Sequence, residues 1–444
     1  MNHAEVLNVE MKCRNRKDEE MLEEDPASAH VIGSDSWMQV ALLLVTSYNC
    51  GWILSFSNLM LVPLGWKWGI VCLILVGLLS AYANWLLAGF HYIEGKRFIR
   101  YRDLMGHVFG KKMYYITWVF QFPLFILGNM GFILLGGKAL KELLLVFSDT
   151  TTMRLQYFII ITGVAYFIFS FVVPNLSSMR IWLGVSAILT FSYIVAVLVL
   201  TVNDGKSNIK INYEIKGSTI DKVFYAFGAI SAIMLSNNPG MLPEIQSTLR
   251  KPAVKNMRKA LCAQFSIGLI VYYGVTIVGY WAFGSNVPDY LPKALSGPKW
   301  VKVLINIAVC LLNIFSQHMF LQPVHEFLDT KFLKLDEGIY SRENLKRRFI
   351  LRALLFTGNT FVAAAIPFMG YFIGLLGSFT LVSLTFIFPS MIFIKIKGKT
   401  ASVEHKAMHW AIIFVFSLLG VATTISAFRL VIQSVSYYHF FADQ

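Results

Sequence analysis

Charge is scarce in this sequence. Only 14% of its 444 residues are Asp, Glu, Lys or Arg, whereas 56% are hydrophobic and 15% aromatic. Soluble chains carry about 25% charged and about 45–50% apolar residues, and the mean hydropathy here is +0.60. The deficit argues against a soluble enzyme, a nucleic-acid-binding domain and a disordered regulator. A net charge of +14 would point to nucleic acid only if the basic residues formed a face on a soluble domain. Cysteine is scarce too: Cys13, Cys50, Cys72, Cys262 and Cys310 form no CxxC pair, and all but Cys13 lie in apolar runs. That argues against a disulfide framework or a zinc site and leaves them as packing residues. Residues 1–35 lack the apolar stretch of a signal peptide. Their acidic segment from Lys17 to Pro26 reads as a disordered cytoplasmic tail.

Enzyme signatures are missing as well. The chain has no HExxH, no GxSxG and no Asp, Glu or His cluster on its apolar runs. Gly398-Lys399-Thr400 lacks the upstream glycine of a phosphate loop. A membrane-embedded enzyme or an ATP-driven pump is therefore unsupported, and no cofactor is expected.

What the chain has is a series of runs free of acidic and basic residues, each about the 20 residues that cross a bilayer. They are Ser36–Trp66, Trp68–Phe90, Met113–Gly137, Leu155–Pro174, Ile181–Val202, Val223–Pro243, Ala260–Phe283, Val303–Val324 and Ala407–Phe428. Ala353–Ile394 is long enough for two spans and divides at Pro367 and Gly370. The expectation is an all-α integral membrane protein with eleven spans; fusing or losing one weak span would leave ten. Residues 36–432 form the transmembrane body, and 433–444 a short extracellular tail. With the N-terminus inside, the inner tail and loops hold 27 of the 39 Lys and Arg residues, the bias that cytoplasmic loops show. The basic excess is thus topological. The C-terminus falls outside, and the sequon Asn175-Leu176-Ser177 falls inside, where it stays unglycosylated.

Two spans carry residues that break helices. The first contains Thr46-Ser47-Tyr48-Asn49-Cys50-Gly51-Trp52, then Ser55-Phe56-Ser57-Asn58; the sixth contains Ser236-Asn237-Asn238-Pro239-Gly240-Met241-Leu242-Pro243. Non-helical backbone at membrane depth survives only where protein or a cavity covers it. Interruptions at matching places in two halves are the best sequence pointer to a transporter site. Here they open two consecutive five-span blocks, and the odd span count inverts the second block. Each half-helix after a break offers free N–H groups and a positive dipole end to a carboxylate. Asn237 and Asn238 can serve as N-caps, and Pro243 suits a first turn. A substrate cation would meet Glu244, half-helix carbonyls or the rings of Tyr48, Trp52 and Phe56.

Longer stretches carry a family resemblance: GMLPEIQSTLRKPAVKNMRKAL from Gly240 to Leu261, GKRFIRYRDLMGHVFGKKMYYITW from Gly95 to Trp118, GYWAFGSN from Gly279, and HEFLDTKF from His325. They resemble the plant proline and compatible-solute transporters of the amino acid/auxin permease family, over nearly the whole chain after residue 30. The resemblance implies a LeuT-like 5+5 inverted repeat plus one helix, with helices 1 and 6 broken. It implies proton-coupled import across the plasma membrane, with H+ as driving ion and proline, betaine or 4-aminobutyrate as substrate. Another neutral amino acid, or a transceptor using the same pocket without significant flux, remains an alternative. The sequence departs from the proline transporters at the breaks. Where they have VLGYSG it reads Ile53-Leu54-Ser55-Phe56-Ser57-Asn58, and Asn237 replaces a tyrosine.

The candidate substrate-binding residues are Tyr48, Asn49, Gly51, Trp52, Ser55, Phe56, Ser57, Asn129, Asn237, Asn238, Gly240, Asn313 and Ser316. Asn129 lies in the glycine-rich stretch 128–131 and matches a family asparagine. The candidate proton carriers are Glu244, matching the family's LPEIQ, and His318, whose position matches a histidine of the proline group. Ionisable groups within a membrane are costly to bury and are functional candidates by default. The expected partners are the bilayer and a small amino acid or betaine; nucleic acid is not one.

Overall fold

The computed structural model describes residues 27–148, 153–208, 211–238, 240–366, 374–375, 377–436 and 441. The protein is a bundle of helices. In chain order they are α1 (Trp37–Tyr48), α2 (Ile53–Ala88), α3 (Tyr101–Phe109), α4 (Lys111–Leu145), α5 (Leu155–Val172) and α6 (Arg180–Ser207). After them come α7 (Thr219–Asn237), α8 (Leu242–Gln246), α9 (Ala253–Asn286) and α10 (Lys299–Phe332). The last three are α11 (Arg342–Ala365), α12 (Gly377–Lys397) and α13 (Val403–Ser436). A two-stranded hairpin, β1 (Tyr92–Ile93) and β2 (Lys96–Arg97), precedes α3. Among the described residues, nine helical stretches are long and apolar enough to cross a membrane.

Local chemistry explains the boundaries. Ser36 starts α1 with a capping box closed by Gln39. Gly65, at φ 67°, turns the chain sharply within α2, at the Trp66–Lys67–Trp68 boundary where the sequence divides its first two spans. That left-handed φ is open to glycine at little cost. Residues 367–373, where the sequence divides spans nine and ten, lie outside the described residues.

Helix α10 packs along α4 and α6, and α11 lies against α5 and α4. The outer faces are apolar: Ile181, Ile188 and Phe191 of α6 are all more than two-thirds exposed. Such a surface suits hydrocarbon and would be a liability in water.

Two expectations change. Residues 342–352 were expected to belong to a basic loop, but they form the first turns of α11, and Arg348 and Arg352 are buried. Absence of charge marks only the hydrocarbon-facing part of a helix; buried guanidinium groups with partners extend it. Residues 27–35, counted with the tail, pack onto the bundle. Ser28 donates to Glu326 at 3.0 Å, His30 meets Asp329 at 2.9 Å, and Asp35 meets Arg180 at 2.7 Å and pairs with Leu249. The acidic segment 17–26 lies outside the described residues, as do residues 437–440 and 442–444.

Candidate functional site

Helix α1 ends at Tyr48, and α2 begins at Ile53. The four residues between run close to α10. The Gly51 N–H donates to Asn313 Oδ1 at 3.3 Å, and a Cβ on Gly51 would lie 2.6 Å from Val309 Cγ1. Glycine here answers close helix approach. The carbonyls just after α1 are covered: Tyr193 of α6 donates its hydroxyl to Asn49 O at 2.6 Å and Cys50 O at 3.2 Å. The start of α2 has no side-chain cap, and its first N–H groups turn back on the interruption itself: Ile53, Leu54 and Ser55 donate to Cys50 O, Gly51 O and Trp52 O at 3.2, 3.2 and 3.0 Å.

Polar atoms with open valences gather on the flanking helices. Asn49 donates to Val45 O and Gly268 O, but its Oδ1 is buried without a partner among the described residues. Asn313 is fully buried, and its Nδ2 has no partner among the described residues. Asn129, in the middle of α4, is fully buried, and neither amide atom is bonded among the described residues. Buried polar atoms are nearly always satisfied in native proteins, and leaving one unpaired costs about 1–3 kcal/mol. Ser316 is satisfied, donating to Ser47 O and Leu312 O. Aromatic rings complete this region. Tyr48 and Phe132 both pack on Phe320, and Trp52 packs edge-on to Phe132 at 6.1 Å. Asn129 lies one turn before Phe132 on α4.

The other residues proposed from span one sit farther along α2. Ser55 donates to Asp289 O at 2.5 Å, in the connection between α9 and α10. Ser57 donates to Thr276 O of α9 at 2.9 Å. Phe56 packs edge-on to Tyr272 at 5.9 Å. Tyr272 in turn donates to Asn237 Oδ1, which ties this part of α2 to the end of α7.

Helix α7 ends at Asn237, and α8 spans only Leu242–Gln246; Pro239 lies outside the described residues. The asparagines do not cap α8. Asn237 bonds back to Ile233 O and is held by Tyr272 and Tyr273. Asn238 donates to Ser80 Oγ and Met234 O and accepts from Asn84 Nδ2, all within 3.0 Å. It fastens α7 to α2. The N-cap of α8 is Met241, without a side-chain bond, and Pro243 stands in its first turn as expected. Gly240 takes φ +67°, and its carbonyl accepts from Gln121 Nε2 at 2.7 Å.

Gln121 also donates to Glu244 Oε1 at 3.2 Å, and the Tyr101 N–H donates to the same oxygen at 3.0 Å. Glu244 Oε2 is buried without a hydrogen-bond partner among the described residues. Both donors to Glu244 are neutral. The carboxyl lies in the wall of a cleft lined also by Ser28, His30, Arg100, Gln322 and Glu326. His318, fully buried on α10, faces Ser170 Oγ at 3.4 Å through Nδ1, and its Nε2 has no hydrogen-bond partner among the described residues.

Sequence reasoning missed Gln121, Tyr193 and Tyr272, which hold the interruptions. All are uncharged residues inside apolar runs, and only their long-range contacts identify them.

Comparison with known proteins adds identity to this geometry. Residues 33–430 match the family described as "Transmembrane amino acid transporter protein". The chain is 29% identical to GABA transporter 1 of Arabidopsis thaliana over 90% of its length and 93% of that relative. It is 26% identical to Lysine histidine transporter-like 3 of the same plant, over 82% of its length and 81% of that relative. Among solved structures it is similar to a manganese transporter from Eremococcus coleocola, captured with an aromatic bis-isothiourea compound. Identity there is 15% and the TM-score 0.55, with 91% of both chains covered. A histidine-to-alanine mutant of that transporter gives 14% and 0.57 over the same coverage. At that identity the likeness shows a shared all-helical transporter fold. The family match extends over most of the chain and both helix interruptions, so the protein belongs to the transmembrane amino acid transporter family.

Proposed function

We propose that the protein imports a small zwitterionic solute across the plasma membrane by proton symport. It does so as an eleven-span LeuT-like repeat with its N-terminus in the cytoplasm and C-terminus outside. The solute belongs to the proline, betaine and 4-aminobutyrate group, and the identity with Arabidopsis GABA transporter 1 supports 4-aminobutyrate within it. The observation that carries the reading is the group of buried amide atoms with open valences on Asn49, Asn129 and Asn313 around the first interruption.

On this reading the substrate carboxylate lies beside the first interruption, where the positive end of the α2 dipole favours it without supplying hydrogen bonds. The Asn129 and Asn313 amides supply hydrogen bonds, and the Tyr48, Trp52 and Phe132 rings face the amine. Glu244, close to the second interruption and without a cationic partner among its hydrogen bonds, exchanges the proton. Its hydrogen-bond donors are neutral, and the nearby buried Arg102 keeps Glu326 at 3.7 Å as its ion-pair partner when Glu244 is protonated. Glycine at 240 and the Gln121 bond to its carbonyl let the backbone pass the midplane without a helix.

Uptake of labelled proline, betaine and 4-aminobutyrate into transport-deficient cells at two external pH values tests this. Accumulation of one of them, faster at acid pH, is expected. No accumulation of any would overturn the substrate class, and pH-independent uptake would overturn the coupling.

A further inference from the structure

One face of α10 carries an unusual series. His318, Gln322, His325 and Asp329 recur at spacings of four, three and four, which stacks them along a single stripe. His318, His325 and Asp329 are fully buried, and Gln322 nearly so. The stripe begins near the first interruption. Asn313, bonded to the Gly51 N–H, lies one turn before Gln317, and Gln317 donates to Ser170 Oγ at 3.3 Å. Ser170 faces His318 Nδ1 at 3.4 Å. The His318 and His325 ring centroids are 5.8 Å apart. At the far end His30 lies between Gln322, 2.6 Å from Nδ1, and Asp329, 2.9 Å from Nε2. Asp329 is closed by Arg352.

His325 is the anomaly in this series. Neither of its ring nitrogens has a hydrogen-bond partner among the described residues, and neither does His318 Nε2. A phenyl ring or leucine would fill the same space without stranding polar atoms, each worth about 1–3 kcal/mol. Three open nitrogens on two adjacent buried rings fit water or a proton in passage, since a buried water needs two to four polar partners. Imidazole can also take a proton at one end and release another from the opposite end. The groups that face His325 are His318 and Asp329 on its own helix, Arg348 and Arg352 from α11, and His30 from the packed N-terminal segment. From α5, the uncharged Ser170 reaches the neighbouring His318.

We propose that His325, together with His318, relays protons along α10 between the first helix interruption and the Asp329–Arg352 pair. The inference rests on the proton-coupled reading above and adds a route to it. The step balances simply. A neutral ring accepts a proton on its bare nitrogen and becomes imidazolium. Loss of the proton from the other nitrogen returns the neutral ring in its other tautomer, and a ring flip restores the start. No electrons move and no other bond changes.

Purified protein in proteoliposomes, with a pH-sensitive dye inside and 4-aminobutyrate, proline or betaine added outside, gives the test. Substrate-driven proton entry by the unaltered protein reports on coupling itself. With His325→Gln, proton entry is expected to fall about a hundredfold, the low end of what a positioned proton carrier contributes. Substrate–substrate exchange, which needs no net proton flux, is expected to stay near the unaltered rate. His325→Ala with added imidazole or 1-methylimidazole separates relay from packing. Imidazole has two working nitrogens and is expected to restore proton entry; 1-methylimidazole has one and is not. Equal rescue by both, or unchanged proton entry in His325→Gln, overturns the relay and leaves coupling standing. If the unaltered protein moves substrate without protons, the coupling reading falls first and the relay with it.

Discussion

Arg352 of α11 places Nη1 and Nη2 on the two carboxylate oxygens of Asp329 of α10, at 3.1 and 2.6 Å, with neither side chain exposed. The forked guanidinium matches the carboxylate geometrically. The pair fixes α11 to α10, and through His30 it also fixes the packed N-terminal segment. Removing one partner of a buried pair strands the other charge, at about 3–5 kcal/mol. Arg352→Gln is therefore expected to lower the melting temperature of the detergent-solubilised protein sharply and shrink its monodisperse fraction. The double variant Asp329→Asn with Arg352→Gln is expected to recover part of that loss, because no charge is left unpaired. A double variant as unstable as the single one would show that the pairing is not what Arg352 contributes.

Glu244 accepts from a backbone N–H and an amide. Glu244→Gln keeps the shape and can still accept from both. If the carboxyl carries the proton, acid stimulation of uptake is expected to disappear in this variant, with a loss of about a hundredfold in proton-driven rate. Substrate binding, read by thermal stabilisation with ligand, is expected to persist. Uptake that keeps its full pH dependence removes Glu244 from the mechanism.

The legible parts of this protein were those written in local sequence. Asn, Gly and Pro inside an apolar run drew attention to the segments that follow Tyr48 and Asn237, where α1 and α7 end. The division beside Gly65 was legible from Lys67, the one charge between two apolar runs, but the turn itself was not. What holds these places was not legible, because it comes from across the bundle. Gln121 reaches Gly240 over 119 positions, and Tyr193 reaches Asn49 over 144. Nothing in the spacing of Asn238 foretold that Asn84 and Ser80 would use up its amide. Charge misled in one place: arginines at 348 and 352 read as loop residues until Asp329 and the Phe171 carbonyl supplied buried partners.

Gly51 offers a steric test of the first interruption. A Cβ there would sit 2.6 Å from Val309 Cγ1, a branched carbon that cannot swing away freely. Overpacking of this kind costs about 1–3 kcal/mol. Gly51→Ala is expected to reduce uptake and lower thermal stability together. Adding Val309→Ala removes the obstructing methyl and is expected to restore stability, with a favourable coupling in the double-mutant cycle. Additive losses would show that the glycine serves backbone conformation or substrate access instead of the α10 contact.

The hairpin before α3 carries the clearest pH signature outside the membrane-spanning helices. His91 is 2% exposed, and its Nε2 accepts from Arg97 Nε at 3.1 Å. Burial, reinforced by the Arg97 charge, lowers its pKa to about 3. The unfolded chain takes up a proton on this ring near the ordinary value of about 6.5, and the folded hairpin refuses it. The penalty is absent above that pH. It grows by about 1.4 kcal/mol for each unit of acidification until the folded ring itself titrates. Unfolding in detergent should therefore become easier as pH falls from neutral toward 4. His91→Gln keeps an acceptor for Arg97 but cannot protonate, so its stability is expected to fall less steeply over the same interval. Parallel stability–pH curves for the two proteins would mean that His91 titrates alike in folded and unfolded chains, which is incompatible with an imidazole buried beneath Arg97.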